Sequence, residues 1–440
     1  MSQYWRNILL SLSAVTLVFT ACTKKSSSSN NDNPLPTNYN PSIIISSDNS
    51  IVYAIDPVTG KRNWEFDFLH SAVKGSPIVY NGMVYVVCAG GNPISLTTSG
   101  DTLYKLNAKT GKLVMKMEGD PTLADNIACN LSITSTPIAD NGLIFLACND
   151  VLGTTSNYIY AIDTGTGKTK WKYTNPADLS PILSSPVIYN GKIYFATTGG
   201  SIYCLNESLG GTLAATPFTV TPEIWTLAIT GASFVSSPAV APPYLFIGST
   251  LDSNMYCIYL DPPPGAPATT GLVRWKYKSR GAINSSPAAY GGRCIFGCND
   301  FRVYCLDTSI NPPTRIKPDS IWISNTGGRI YSSPYVYNNV VYIGSDDAFL
   351  YALNMINGGL KWKFQTNAAI TSSPLVYNGV VYIGSSDKNL YAIDTAGAQS
   401  TAKWYFTVNG IIECSPAIDN LSGAQINSQV SGYTNWGYPY

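Results

Sequence analysis

The chain repeats itself, and no other feature constrains its fold as tightly. The clearest copy runs Ser372-Ser373-Pro374-Leu375-Val376-Tyr377-Asn378-Gly379-Val380-Val381-Tyr382-Ile383-Gly384-Ser385 and continues Ser386-Asp387-Lys388-Asn389-Leu390-Tyr391-Ala392-Ile393-Asp394. The copy before it, from Ser332-Ser333-Pro334 through Tyr351-Ala352-Leu353-Asn354, follows nearly residue for residue. Each begins with two apolar strands around a tight turn, Asn378-Gly379 in the first and Asn338-Asn339 in the second; Asn-Gly is a pair suited to hairpin turns whose central residues both need positive φ. A third strand of the Leu-Tyr-Ala-Ile-Asp type follows, then a fourth ending in Lys-Trp-Lys-Phe.

The proline of the start recurs at Pro77, Pro137, Pro186, Pro238, Pro287, Pro334, Pro374 and Pro416. The third-strand tyrosine recurs at Tyr53, Tyr104, Tyr160, Tyr203, Tyr256, Tyr304, Tyr351 and Tyr391. Spacings of roughly 40–60 residues with four strands each match the blade of a β-propeller. The expected fold is therefore all-β: an eight-bladed β-propeller of four-stranded antiparallel blades, which accommodates 440 residues as one domain. With 45% hydrophobic and only 12% charged residues, the chain has material for a large core and too little charge for disorder.

The phase of the repeat predicts how the ring closes. The chain enters at Ile43-Ile44-Ile45 and Tyr53 without a preceding Ser-Pro strand, and leaves with Ser415-Pro416-Ala417-Ile418 and no full strand set afterwards. The last strand is expected to complete the blade begun at the N-terminus, pairing the two terminal strands and removing the open edges. Propeller boundaries of 42–420 follow. Residues 421–440, with Tyr433, Trp436, Tyr438 and Tyr440, fit no repeat position; packing over the clasp and a partner surface both stay open.

Residues 1–21 read as a targeting segment: Arg6 is the only charge before a largely apolar run from Ile8 to Ala21, too short for an ordinary membrane span. Val18-Phe19-Thr20-Ala21-Cys22 resembles a bacterial lipobox, with Phe19 where Leu is usual, so Cys22 is the expected lipidation site. A plain secretory signal cleaved nearby is the alternative. Two or three acyl chains make a stable anchor at about 0.8 kcal/mol per buried methylene. The Ser- and Asn-rich stretch completing 22–41 reads as a flexible tether. Losing the signal removes only Arg6, leaving Lys plus Arg equal to Asp plus Glu, which excludes nucleic acid as a partner and electrostatic docking on an anionic membrane.

Ala54-Ile55-Asp56-Pro57-Val58-Thr59-Gly60-Lys61-Arg62-Asn63-Trp64 resembles the tryptophan-docking motif of the pyrroloquinoline-quinone (PQQ) repeat family. Ala161-Ile162-Asp163 through Thr166-Gly167 to Trp171 repeats it; Trp225, Trp275, Trp322, Trp362 and Trp404 end other blades, and Met115 takes that place in the second. One large indole per blade, with a small Ala and a turn Gly to receive it, reads as structural docking; an aromatic ligand platform would cluster them.

The resemblance also frames the chemistry. Enzymes of that family carry a vicinal Cys-Cys disulfide, a calcium held by Glu and Asn or Asp, and a catalytic Asp. This chain has no Cys-Cys pair and no Cys-x-x-Cys-His haem attachment, so the resemblance implies a fold without a quinone cofactor, and no catalytic, cofactor or metal residue is assigned. His70 is the single histidine, which excludes a His-rich metal centre and places it in an interblade loop. Of the ten Cys, Cys204, Cys257 and Cys305 stand where other copies have Ala; Cys88, Cys148 and Cys298 stand where Ser345 and Ser385 do. These read as small buried residues; Cys129, Cys294 and Cys414 have no assignment, and one or two disulfides stay open. Asp48, Asp300, Asp347 and Asp387 recur in the second turn, where Asp bonds its own backbone. Lys170, Arg274 and Lys361 suit a solvated blade edge, and the loops at Asp261-Pro262-Pro263-Pro264 and Asn311-Pro312-Pro313 suit recognition.

Among PQQ-like propellers, an anchored eight-bladed chain without enzyme motifs most resembles the BamB family of outer-membrane assembly factors. That resemblance implies a non-catalytic, protein-binding scaffold beside the barrel-assembly machinery. Thr23-Lys24-Lys25-Ser26 lacks an acidic cluster of the kind that sends some lipoproteins to the outer face, so an outer-membrane lipoprotein facing the periplasm is expected. The rival readings are a surface-exposed module for glycan or another small ligand and, behind it, a PQQ-dependent dehydrogenase.

Overall fold

The structure is a computed structural model. It describes residues 41–69, 73–88, 101–117, 131–133, 135–150, 157–175, 177–178, 180–208, 223–267, 269–308, 318–397 and 401–419. Cys22, the tether, His70, Cys129, the Asn311-Pro312-Pro313 loop and residues 421–440 lie outside them.

The seventh blade shows how a blade is made. Strands Tyr335–Tyr337, Val340–Gly344, Phe349–Asn354 and Leu360–Gln365 pair antiparallel in chain order. The first turn uses Asn338 and Asn339 at φ 48° and 58°, the αL pair that a tight hairpin demands. The two middle strands are buried on both faces, so they read as continuous apolar runs, whereas the outer strand alternates. Opposite the docking Trp sits the small residue: Ala352 pairs with Trp362, and the register shifts just after it. The same bulge recurs at Ala54/Ile55, Cys204/Leu205 and Cys305/Leu306. It re-aims the end of the strand where the indole must leave the sheet.

Eight such sheets form the propeller, as the repeat predicted. Closure is also as predicted: Ala417–Asp419 pairs antiparallel with Ser42–Ser47, so the first blade is built from both chain ends. The third blade departs from four strands, because Leu131–Ser132 adds to the far end of Leu143–Asp150. The outer strand of the fourth blade gains a parallel bridge, Thr226 to Thr270, from the fifth blade's Pro-rich insertion.

The innermost strands carry a device beyond their role as strand starts. The hydroxyl of the second residue in each Ser-Ser-Pro, or in its variants Gly75-Ser76-Pro77, Ser135-Thr136-Pro137 and Cys414-Ser415-Pro416, accepts from the backbone N–H of its counterpart one blade earlier. The series runs Ser76, Thr136, Ser185, Ser237, Ser286, Ser333, Ser373, Ser415 and back to Ser76, with distances between 2.9 and 3.2 Å. It is a closed circle of buried hydrogen bonds, one per blade junction. The first residue of the pair works inside its blade: Ser332 Oγ accepts from Gly344 N at 3.0 Å, and Ser372 Oγ from Gly384 N at 3.3 Å. In the last copy Cys414 replaces that serine, its Sγ accepting from Ser46 N at 3.1 Å across the chain ends.

Candidate functional site

The blade junctions are built on the tryptophans. Trp64, Trp225, Trp322, Trp362 and Trp404 each donate Nε1–H to a carbonyl in the next blade: Ala108, Leu260, Met355, Thr395 and Pro57, at 2.7–3.3 Å. Trp171 donates to Glu207 O at 3.2 Å, while Trp275 Nε1 has no partner among the described residues. Each acceptor lies one or two residues past the end of the next blade's third strand. The ring then lies on a turn glycine: a Cβ on Gly358 would fall 2.7 Å from the Trp322 ring, and at φ +72° only glycine is comfortable there. Trp404 reaches Gly60 and Pro57 of the first blade, so the same contact spans the seam.

One junction is made differently. In the second blade Lys105 occupies the small-residue position and pairs with Met115 across the strands. Met115 lies over Gly167 of the third blade, and Lys105 Nζ donates to Thr164 O at 2.7 Å, the position other blades reach with the indole. Burial lowers the Lys105 pKa, with nearby Asp163 acting in the opposite direction.

The Asp residues of the second turn bond their own backbone and also hold the recurrent tyrosine. Asp347 accepts from Phe349 N at 3.1 Å and from the Tyr351 hydroxyl at 2.6 Å; Asp387 accepts from Asn389 N at 3.0 Å and from the Tyr391 hydroxyl at 2.7 Å. Asp252–Tyr256 and Asp300–Tyr304 repeat the pair. Asp48 does not belong to this set: in the first blade Asn49 holds the equivalent place, donating to Tyr53 Oη at 3.0 Å. In the fourth blade Asp178, from the loop entering the blade, serves Tyr203 at 3.0 Å. Burial and then the Asp178 charge push the Tyr203 hydroxyl up to about 12.

The cysteines among the described residues are free thiols, and all are buried: Cys88, Cys148, Cys204, Cys257, Cys294, Cys298, Cys305 and Cys414. No disulfide joins any of the described residues. Burial raises the thiols, to about 12 for Cys204, Cys298 and Cys305, which leaves them protonated at neutral pH. Among the described residues no group of three or more His, Cys, Asp or Glu could hold a metal ion. Of the fourth-strand cations, Lys170 pairs with Asp163 at 3.3 Å, and Lys363 sits 3.9 Å from the Phe349 ring centroid.

What remains for recognition is surface. On the face formed by the second turns, Leu251 and Phe301 project from adjacent blades, 70% and 45% exposed. Phe301 holds φ +68°, a position filled elsewhere by Ser253, Ala348 and Lys388. A bulky residue there costs about 1–2 kcal/mol of backbone strain. On the opposite face a groove of about 510 Å³ lies between the eighth and first blades, lined by Pro57, Val58, Tyr377, Val380, Tyr382 and Lys403 among others.

The sequence model of the family described as outer membrane protein assembly factor BamB matches residues 25–258 and 315–422. The chain belongs to that family. A BamB of Salmonella typhimurium is 25% identical over 226 residues, 49% of this chain and 47% of that protein. Tetrathionate hydrolase of Acidithiobacillus ferrooxidans is 25% identical over 297 residues, 59% of this chain and 53% of the relative. The chain thus spans about half the length of these two relatives. Among solved structures, BamB from Moraxella catarrhalis aligns with a TM-score of 0.55 at 16% identity, covering 78% of this chain and 88% of that one. The computationally designed Ika8 protein aligns with a TM-score of 0.57 at 11% identity, covering 83% and 97%. These two likenesses are of fold alone.

Proposed function

We propose that this protein is a non-catalytic scaffold of the bacterial outer membrane, anchored through lipidated Cys22, facing the periplasm, and holding protein partners during outer-membrane protein assembly. The observation that carries this reading is the family match along both halves of the propeller. The structure supports it in a second way. The serine circle and the tryptophans join the blades, the Asp–Tyr pairs brace the second turns within them, and the exposed apolar groups Leu251 and Phe301 ride on those turns. A preorganised surface of this kind loses little entropy on binding.

Affinity capture of the lipidated protein from its own membranes tests the reading. Recovery of barrel-assembly components supports it; retention on a glycan column with no protein partner replaces it with the ligand-binding reading. A Cys22→Ala variant is expected to move from the membrane to the soluble fraction. An enzymatic reading draws support from enzyme relatives such as the one named tetrathionate hydrolase. Turnover of tetrathionate by the purified protein would establish it in place of the scaffold.

A further inference from the structure

The groove at the seam differs from its counterpart elsewhere in the ring. Between the third and fourth blades the equivalent groove, of about 470 Å³, has Glu207 and Ser208 where the seam has Pro57 and Val58. The polar atom at the seam is already engaged, because the Tyr382 hydroxyl and Trp404 Nε1–H both donate to Pro57 O, at 3.0 and 3.2 Å. Of the charged residues in its lining, Asp56 accepts from the Val58 and Thr59 N–H groups and Lys403 pairs with Asp394, so the free surface is mainly apolar and aromatic, with Val58 81% exposed.

The seam is also where the chain departs. In the eighth blade a hairpin joins the first two strands at this end, with Tyr377 paired to Val380. In the first blade that hairpin is open, and Asp419 pairs with Ser42, the neighbour of the groove-lining Pro41. Asp419, the last described residue, therefore lies about one strand spacing, 4.7–4.9 Å, from Ser42 at the groove's edge. The segment that follows, 421–440, contains no Asp, Glu, Lys or Arg and carries Tyr433, Trp436, Tyr438 and Tyr440. Its length to Tyr433 spans about 40 Å when extended, ample to fold back.

We propose that residues 421–440 dock their aromatic end in the seam groove, over Val58 and against Tyr377 and Tyr382, latching the ring beside the blade that both chain ends share. The groove's mainly apolar surface and the uncharged segment match, and burying aromatic rings there removes both from water. The proposal stands apart from the scaffold reading.

Chymotrypsin digestion of the folded full chain, followed by mass spectrometry of peptides released beyond Tyr433, tests it. Val58→Glu is expected to speed that release by about tenfold or more, the loss of roughly one buried Val-sized contact. Ile356→Glu, the same turn position in the seventh blade and 62% exposed, is expected to leave it unchanged. Trp436→Ser, which leaves the ring itself intact, is expected to speed cleavage after Tyr433 as Val58→Glu does. Equal release from the parent chain and all three variants overturns the proposal, and so does an Ile356→Glu effect as large as that of Val58→Glu. A loss of partner capture in Val58→Glu with unchanged tail release would assign the groove to another protein and also overturn it.

Discussion

Between the sixth and seventh blades one residue closes the junction: Trp322 covers Gly358 and donates to Met355 O, while Cys305 across the strand leaves it room. Between the second and third blades the same contact takes two residues. Met115 supplies the apolar cover over Gly167, and Lys105, standing where the small residue would be, supplies the donor to Thr164 O. The comparison separates what a junction requires from what a motif usually provides. It requires an apolar plate over a turn glycine and an N–H aimed at one carbonyl; an indole combines them, and a thioether with an ammonium divides them. The divided version carries a charge whose burial lowers its pKa, so it is the more exposed to perturbation.

The largest test removes the seam altogether. Truncation after Gly410 deletes Ile412, Cys414, Ser415 and the strand Ala417–Asp419, breaking the serine circle and the first blade together. From the buried Ile412 and Ile418 alone the expected loss is roughly 3–6 kcal/mol. Thermal melts followed by circular dichroism check it, and an unchanged midpoint would mean the ends do not close the ring. Next, Trp322→Ala is expected to cost about 3–5 kcal/mol in denaturant unfolding.

A double-mutant cycle sharpens the contrast. Lys105→Ala strands Thr164 O and is expected to cost about 1–3 kcal/mol. Met115→Trp alone overpacks against Lys105 at a similar cost of about 1–3 kcal/mol. The double variant recreates the indole junction, so its loss should fall below the sum by about 0.5–3 kcal/mol. Simple additivity would show that Lys105 and Met115 are not a substitute pair. Ser333→Ala, which removes one link of the circle, is expected to cost about 1 kcal/mol, with faster amide exchange at Ser286.

The smallest effect is with pH. Burial alone would raise the Asp252 carboxyl, but hydrogen bonds from Ser249, Tyr256 and Asn254 outweigh it and hold it below the ordinary carboxylate value. A depressed acid stabilises fully above its unfolded pKa, about 3.9, and that share is lost as pH falls through the lower folded value. Hydrogen exchange below about pH 4 should therefore loosen the fifth blade's second turn before the first blade's, where Asn49 does not titrate in this range. Equal loosening in both turns would remove the carboxylate from the explanation.

Much of this architecture is legible in the residues because repetition averages out local ambiguity. Asn-Gly pairs, the recurring proline and tyrosine, and the phase of the first and last copies lead to eight blades and a shared first blade. The Asp–Tyr pair has a usable signal, Asp three residues before the strand's Leu-Tyr or Val-Tyr core, yet the first blade hides it: Asp48 is adjacent to the position that Asn49 fills. Ser-Ser-Pro reads as a strand start, and nothing local says that its second hydroxyl reaches a residue one blade away, or, from Ser76 to Ser415, across the whole chain. Lys105 likewise looks like an interruption until its ammonium is seen at Thr164 O.

The sequence by itself determined the strand order, the blade count and the sharing of one blade by both ends, since these depend on periodicity and turn chemistry carried within each copy. Only the tertiary structure decided which side chains bridge the blades, how a lysine and a methionine stand in for an indole, and which groove is apolar. Those outcomes depend on residues far apart in the chain meeting at fixed distances, and no local pattern encodes a distance across a ring.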